Sequence, residues 1–541
     1  MSNAEKRESL QLKIGEEQVV HMKVAAQIVQ HLSKGIYSNP ANCIKELINN
    51  SFDADATKAI VRAKPEFDTF SITDDGEGMN YLDFDKKFLW ISRSDKRDLG
   101  LFTEAGRPII GKIGIGFIAV SEICNKMTVI SSKKGEDFKF QADIDFGKFK
   151  KTIGKKKDFY ELSEVKVVNL QEKKNVHYTI VLLTELSKDF KELLEDKDIL
   201  EAGIKIATFD GLKFEKIVEK IEKRKLNLWK DIGGYWELML EVANTVPVGY
   251  LEEGPIRIKD VRMGHDEKFK EKLKDIVSIK ENLNKFNFSV DFDGVLLKKP
   301  ILLPVEEDIL GDPKNFDMYT FREKFTDFGD ESTLQFRGYI YSQKRQILPS
   351  QLRGIIIRIK NTAIGGTDPD FLSYPYAEKL FLPWTFGEIY VEDGLEEAMN
   401  VNRNSFIITD PHYRRLKNYL HNMLHKKVFP TCRSRYIERR EEAKKEEKVL
   451  RKVKIKNYLN FVFDREFRII SSKESSEVPV EIDTKKNELI VYPFHPVFRK
   501  RKKKDTNIVE EILILFETSC RNSDGDLNKM REYFLNSLKK W

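Results

Sequence analysis

Cysteine is scarce in this chain. Its 541 residues include four, Cys43, Cys124, Cys432 and Cys520. None lies at metal-ligand spacing from another, which excludes zinc-ribbon and cluster-binding architectures and points to inert thiols in a reducing compartment. Long apolar runs are missing too: no stretch approaches the roughly 20 residues that span a bilayer, so no membrane partner is expected. The opening Met1-Ser2-Asn3-Ala4-Glu5-Lys6-Arg7 has no apolar stretch, so no secretory leader is expected and a cytoplasmic location is anticipated. No tandem repeat or low-complexity tract is visible. Charge of one sign is not in great excess. The 94 Lys and Arg against 87 Asp and Glu leave +7, too mild a bias to mark a nucleic-acid binder by composition. Present instead are 40% hydrophobic residues, enough for real cores in about three or four domains.

The informative content is three short segments in the first quarter. In the first, Ile44-Lys45-Glu46-Leu47-Ile48-Asn49-Asn50-Ser51-Phe52-Asp53-Ala54, the apolar residues recur at helical spacing and Pro40 suits a first helical turn. Glu46, Asn50 and Asp53 then share one face. A carboxylate there can polarise a water, and an amide oxygen one turn away can hold a hard cation. In the second, Phe70 and Ile72 alternate with Ser71 and Thr73 and predict a strand ending at Asp74, inside the turn Asp74-Asp75-Gly76-Glu77-Gly78-Met79. A carboxylate at a buried strand end needs a partner, and an adenine amino group would serve. In the third, Gly111-Lys112-Ile113-Gly114-Ile115-Gly116 precedes the apolar run from Phe117, as a loop entering a helix does. Phosphates bind at such helix N-termini.

In series the three segments resemble the signature boxes of the GHKL superfamily: gyrase, heat-shock-protein-ninety chaperones, histidine kinases, MutL and MORC proteins. The resemblance implies ATP and Mg2+ as cofactors and hydrolysis of ATP as the activity. It implies Glu46 as general base, Asn50 as the magnesium ligand and Asp74 as the adenine acceptor, with Asp53 and Met79 beside them. Gly76, Gly78, Gly111, Gly114 and Gly116 would shape the pocket and lid, with Lys112, Ile113, Ile115 and Phe117 in the same box. The segment Ile91-Ser92-Arg93-Ser94-Asp95-Lys96-Arg97 resembles the start of an ATP lid, which puts Ser94 and Lys96 against the nucleotide. Strand Tyr178–Leu183 resembles the later strand whose Thr, here Thr179, helps hold adenine, although Tyr178 stands where Gly is usual. Far downstream, Met399-Asn400-Val401-Asn402-Arg403-Asn404 follows Gly387–Asp393 and resembles the catalytic loop of the chaperone middle domain. Arg403 would be an arginine finger supplied in cis, although Asn404 and Ser405 depart from the usual pattern.

The expected fold class is α+β. A two-layer α/β sandwich of GHKL (Bergerat) type at 1–205 is followed by an α/β middle domain at 206–430. A charged helical linker at 431–455 and a small α+β domain at 456–541 complete it. Residues from about 18 to 36 read as a first helix, and 91–110 as the lid. Strand signals at Phe286–Phe292, Gly338–Tyr341, Gly354–Ile359 and Glu388–Val391 are assigned to the middle domain, with a helix from Pro411 to Lys426. In the tail, Arg499-Lys500-Arg501-Lys502-Lys503-Lys504 could touch nucleic-acid phosphates. A homodimer closed by ATP is expected. Two outputs remain open: a chaperone-like machine acting on protein clients, and a MORC- or MutL-like clamp on double-stranded DNA.

Overall fold

The computed structural model describes residues 17–25, 39–85, 90–91, 103–110, 120–146, 159–196, 213–224, 226–257, 267–284, 287–304, 313–329, 331–400, 404–498 and 503–540. The chain divides into two compact units, Met1–Arg433 and Ser434–Trp541. The expected limit at 205/206 falls inside the first unit, in a stretch outside the described residues.

The first unit is organised by helix α1, Pro40–Asp53. Asn39 caps it, its side chain accepting the Ala41 N–H at 2.8 Å, and Pro40 loses nothing at a position whose N–H has no helical partner. Ala41, Cys43, Ile44, Leu47 and Ile48 are buried along one side. They join the core cluster that also takes Val61, Phe70 and Ile72 from the strands below. Those strands are β1 (Glu17–Ala25), β2 (Lys58–Lys64), β3 (Thr69–Asp74), β4 (Trp90–Ile91), β5 (Cys124–Ser132), β6 (Phe138–Asp145), β7 (Phe159–Gln171), β8 (Tyr178–Leu186), β9 (Ser289–Phe292) and β10 (Val295–Leu296). Together they form one ten-stranded sheet in the order β10-β9-β2-β3-β8-β5-β6-β7-β1-β4. In β2 and β3 strict alternation buries Ala59, Val61 and Ala63 and then Phe70, Ile72 and Asp74, as a half-covered sheet requires.

Two expectations are corrected here. The segment read as a first helix begins as strand β1, paired antiparallel with β7 through Val20↔Val165 and its neighbours. Val19, Val20 and Val24 are β-branched and favour a pleated strand, and the available edge of β7 outweighs a partial helical period. Residues 26–38 lie outside the described residues. The strand within Phe286–Phe292, assigned to the middle domain, instead pairs parallel to β2 through Lys58↔Ser289 and Val61↔Phe292. Periodicity finds a strand but does not say which sheet receives it.

A second sheet contains β11 (Phe316–Phe325), β12 (Leu334–Gln343), β13 (Gly354–Ile359), β14 (Thr362–Ala363) and β15 (Thr385–Asp393). Its order is β11-β12-β15-β13-β14. At its centre Arg358 Nε donates to Glu388 at 2.6 Å, and Arg358 Nη1 donates to the Asn244 carbonyl at 2.7 Å. Both charged side chains are wholly buried. The hydroxyls of Tyr250 and Tyr339 also donate to Glu388. Glu388→Ala would strand a guanidinium in the core, and we expect a loss of about 3–5 kcal/mol in denaturant unfolding. Joint replacement of Arg358 and Glu388 by apolar residues should cost much less. Equal losses in the two variants would show that the pair is not what holds the sheet.

In the second unit the charged segment is helical within Phe429–Phe463, a single helix that passes through both expected linker limits. Strands β16 (Arg468–Ser471), β17 (Val480–Asp483) and β18 (Glu488–Val491) form a sheet in the order β16-β18-β17. Helices Lys503–Asn522 and Leu527–Lys540 follow. Ile455, Leu459, Phe467, Ile482, Leu489 and Ile514 make its core.

Candidate functional site

Helix α1 presents Glu46, Asn50 and Asp53 one above another, away from its buried apolar side. Glu46 is nonetheless buried, at 6% exposure, because the second sheet approaches it. It lines a small cavity with Lys45, Asn49, Ile110, Lys360 and Met399. Asn50 and Asp53 are half-buried. Asp53 Oδ1 accepts the Ile110 N–H at 2.6 Å, so the last turn of α1 holds the chain just before the Gly-rich box.

The strand-end carboxylate is built with more partners. Asp74 closes β3 and stands directly opposite Thr179 of β8. Ser51 Oγ, one residue past Asn50 on α1, donates to Asp74 Oδ2 at 2.8 Å, and the Gly76 N–H donates to Oδ1 at 3.0 Å. Burial pushes the Asp74 carboxyl up to about 6, against the opposing pull of the Ser51 and Gly76 bonds. Thr179 Oγ1 lies 3.0 Å from Ser131 Oγ, which in turn accepts the Met79 N–H at 2.8 Å. The turn between is shaped by close approach. A Cβ on Gly76 would sit 2.7 Å from the Ala54 carbonyl, and one on Gly78, at φ +68°, would sit 1.9 Å from that of Ser132. Only glycine fits both positions.

Asp74, Gly76, Gly78, Met79 and Thr179 therefore form one cluster, joined to α1 through Ser51. Ser94, Lys96, Gly111, Lys112, Ile113, Gly114, Ile115, Gly116 and Phe117 lie outside the described residues, as do Arg403 and Arg499 to Lys502. Lys503 and Lys504 open a helix. Sequence reasoning missed Ser51, although it stands within the first box, and it missed Asp55 and Arg107. Thr103 Oγ1 and the Ala105 N–H donate to the Asp55 carboxylate at 2.6 and 3.0 Å. The Arg107 guanidinium donates to the carbonyls of Ala56 at 2.6 Å and Asn287 at 3.2 Å. It also lies over the Phe52 ring, 5.1 Å from its centroid. Residues 103–107 are thus pinned to the C-terminal end of α1, where a cation is favoured.

The second sheet reaches the same helix. Lys45 Nζ, 1% exposed, donates to the Ala363 carbonyl at 3.4 Å and to Asn404 Oδ1 at 3.5 Å. Thr362 Oγ1 donates to Asn49 Oδ1 at 3.3 Å, and Lys360 Nζ donates to the Ile109 carbonyl at 2.8 Å. The loop bearing Asn404 is pinched shut by the Met399↔Phe406 bridge and by the Asn400 N–H donating to the Ser405 carbonyl at 2.9 Å. The residue next to Arg403 is therefore placed against the helix that carries Glu46.

Half-buried Asn50 offers an amide oxygen, the donor type that suits a magnesium ion keeping most of its waters. Among the described residues no group of three or more His, Cys, Asp and Glu is placed to hold a metal ion. No described helix is long and apolar enough to cross a membrane.

Residues 37–179 match a family described as histidine kinase-, DNA gyrase B-, and HSP90-like ATPase. The chain is 37% identical over 122 residues to the "Putative type II restriction enzyme HgiDII" of Herpetosiphon aurantiacus, covering 22% of this chain and 20% of that protein. It is 25% identical over 211 residues to the chaperone protein HtpG of Aliarcobacter butzleri, covering 32% of this chain and 33% of the chaperone. It is 26% identical over 192 residues to HtpG of a Sulfurovum species, covering 31% and 28%. The chain thus spans a third or less of the length of each of these relatives.

Proposed function

We propose that the protein, whose residues 37–179 match the histidine kinase-, DNA gyrase B- and HSP90-like ATPase family, binds ATP and hydrolyses it to drive a conformational switch. Adenine would donate its amino group to Asp74, with Thr179 and the Gly76–Met79 turn closing round it. Glu46 would take the proton of the attacking water. Magnesium, held by Asn50 and the phosphates, would neutralise charge on the transferring group. The observation that carries the cross-domain part of this reading is the Lys45–Asn404 contact, which supports delivery of Arg403 to the helix that bears Glu46. ATP would also close a homodimer, measurable by light scattering with a non-hydrolysable nucleotide.

For the output we favour a chaperone-like action on protein clients. Two HtpG chaperones resemble the chain over about a third of its length, and the Arg403 loop extends that resemblance. Similarity to a protein named as a restriction enzyme supports the second reading, a DNA-directed ATPase of MORC or MutL type. ATP turnover measured with a partly unfolded protein, and separately with long double-stranded DNA, decides between them. Stimulation by DNA alone would reject the client reading.

Asp74→Asn should weaken ATP binding by about 1–3 kcal/mol or more, because its amide turns a donor toward either adenine or Ser51. In the unsubstituted protein, affinity should decline as pH falls through about 6, where the Asp74 carboxyl takes up a proton. Calorimetry with unchanged affinity in both experiments would remove Asp74 from the pocket.

A further inference from the structure

The second unit carries a groove between its long helix, Phe429–Phe463, and strand β16. β16 is an outer strand, parallel to β18. The Arg468 N–H donates to the Asn487 carbonyl at 2.9 Å and the Ser472 N–H to that of Val491 at 3.0 Å. Successive residues of a strand turn their amides to opposite sides, so those of Ile469 and Ser471 face the open edge. Among the described residues no strand pairs there. Ile469, Ile470 and Ser471 line the groove, and Ile455, Val491 and Phe498 form an apolar floor.

The opposite wall is basic. Lys444, Lys448 and Lys452 line it, four residues apart and so about 6 Å apart along the helix. None of the three has an ion-pair partner among the described residues. Arg451, on the same wall, is already held by Glu510 at 3.1 Å and Glu511 at 2.9 Å. Glu447 and Glu510 are the acids of the lining. An extended peptide presents alternate side chains to one side at about 6.6 Å intervals, close to the lysine spacing. Ile470, 38% exposed, lies on the opposite face of the strand from Ile469, where a β-branched neighbour would pack.

We propose that this groove binds an acidic peptide segment of a partner protein, added as a new strand to the open edge of β16. Acidic residues at alternate positions meet the three lysines, β-branched residues between them meet Ile470, and the main chain pairs with Ile469 and Ser471. Such strand addition takes affinity from main-chain hydrogen bonds and specificity from alternate side chains. A nucleic acid would use the lysines but leave the strand edge and the apolar floor unsatisfied. The groove requires no nucleotide and stands apart from the ATPase reading.

The test is fluorescence polarisation of the full chain with a labelled decapeptide alternating Glu and Val. Saturable binding is expected, weakened at least about tenfold, or 1.4 kcal/mol, by Lys444→Glu, Lys448→Glu and Lys452→Glu together. N-methylation of the alternate amides that face β16 should cost as much, and a peptide of the same composition with its Glu and Val in two blocks should bind worse. Thermal unfolding of the triple variant checks that it folds. Equal binding of the methylated or block peptide would reduce the groove to a bare charge patch and overturn the proposal. So would the absence of saturable binding, or double-stranded DNA that displaces the peptide and binds more tightly.

Discussion

Glu46→Ala should bind ATP with near-normal affinity and turn it over about 10²–10⁴-fold more slowly, the loss expected for removing a positioned general base. The structure gives this outcome a physical basis. Glu46 is 6% exposed on a helix whose other side is fixed in the core, so its carboxylate is held in place before the nucleotide arrives. It lines a cavity that Ile110, just before the Gly-rich box, and Thr362 and Ala363 of the second sheet also line. On the proposed reading, a base in that position would act on the water and not on adenine, which Asp74 would hold separately. Binding and turnover should therefore separate, and the variant should accumulate as a nucleotide-loaded closed form. Single-turnover hydrolysis together with calorimetry checks both halves. Normal steady-state turnover would remove Glu46 from the chemistry, while lost affinity would point instead to a collapsed helix.

The parts of this site that were legible in the sequence are those written locally. Pro40 and the apolar period define α1, and the alternation of Phe70 and Ile72 ends β3 at Asp74; the structure has both. The resemblance implies Asp74 and Thr179 each as an adenine contact, but their opposition across β3 and β8 is a structural finding, since strand register is not written in either strand alone. What could not be read was non-local. Arg107 looks like any surface cation in sequence, yet it is 8% exposed and holds, besides the Ala56 carbonyl, that of Asn287, which lies 180 residues further along the chain than Arg107 itself. β9 reads as a strand, but its partner β2 lies more than 200 residues away. β1 failed for a different reason: its apolar residues fit a helical period, and tertiary pairing with β7 decided the matter.

Arg403→Ala should lower turnover by about 10³–10⁵-fold, the range over which an arginine finger acts, and leave ATP affinity nearly intact. Interactions made only in the closed state raise turnover and not binding. Arg403→Lys should not rescue, because a point charge cannot reproduce the planar fork that spans several phosphate oxygens. The full-length chain is the right material for this comparison. A fragment ending near residue 200 would lose β9, which pairs with β2, and the Asn287 carbonyl that Arg107 grips; its inactivity would say nothing about Arg403. Lys45 offers an independent check on the same loop, since its ammonium reaches Asn404 Oδ1 and the Ala363 carbonyl from α1. Lys45→Met should slow turnover less than Arg403→Ala, because it loosens the loop without removing the guanidinium. Combining the two substitutions should add little to the loss from Arg403→Ala alone, as residues acting through one interaction are non-additive. Full turnover in Arg403→Ala, or a double variant whose losses simply multiply, would show that the loop after Met399 does not deliver the arginine to the nucleotide.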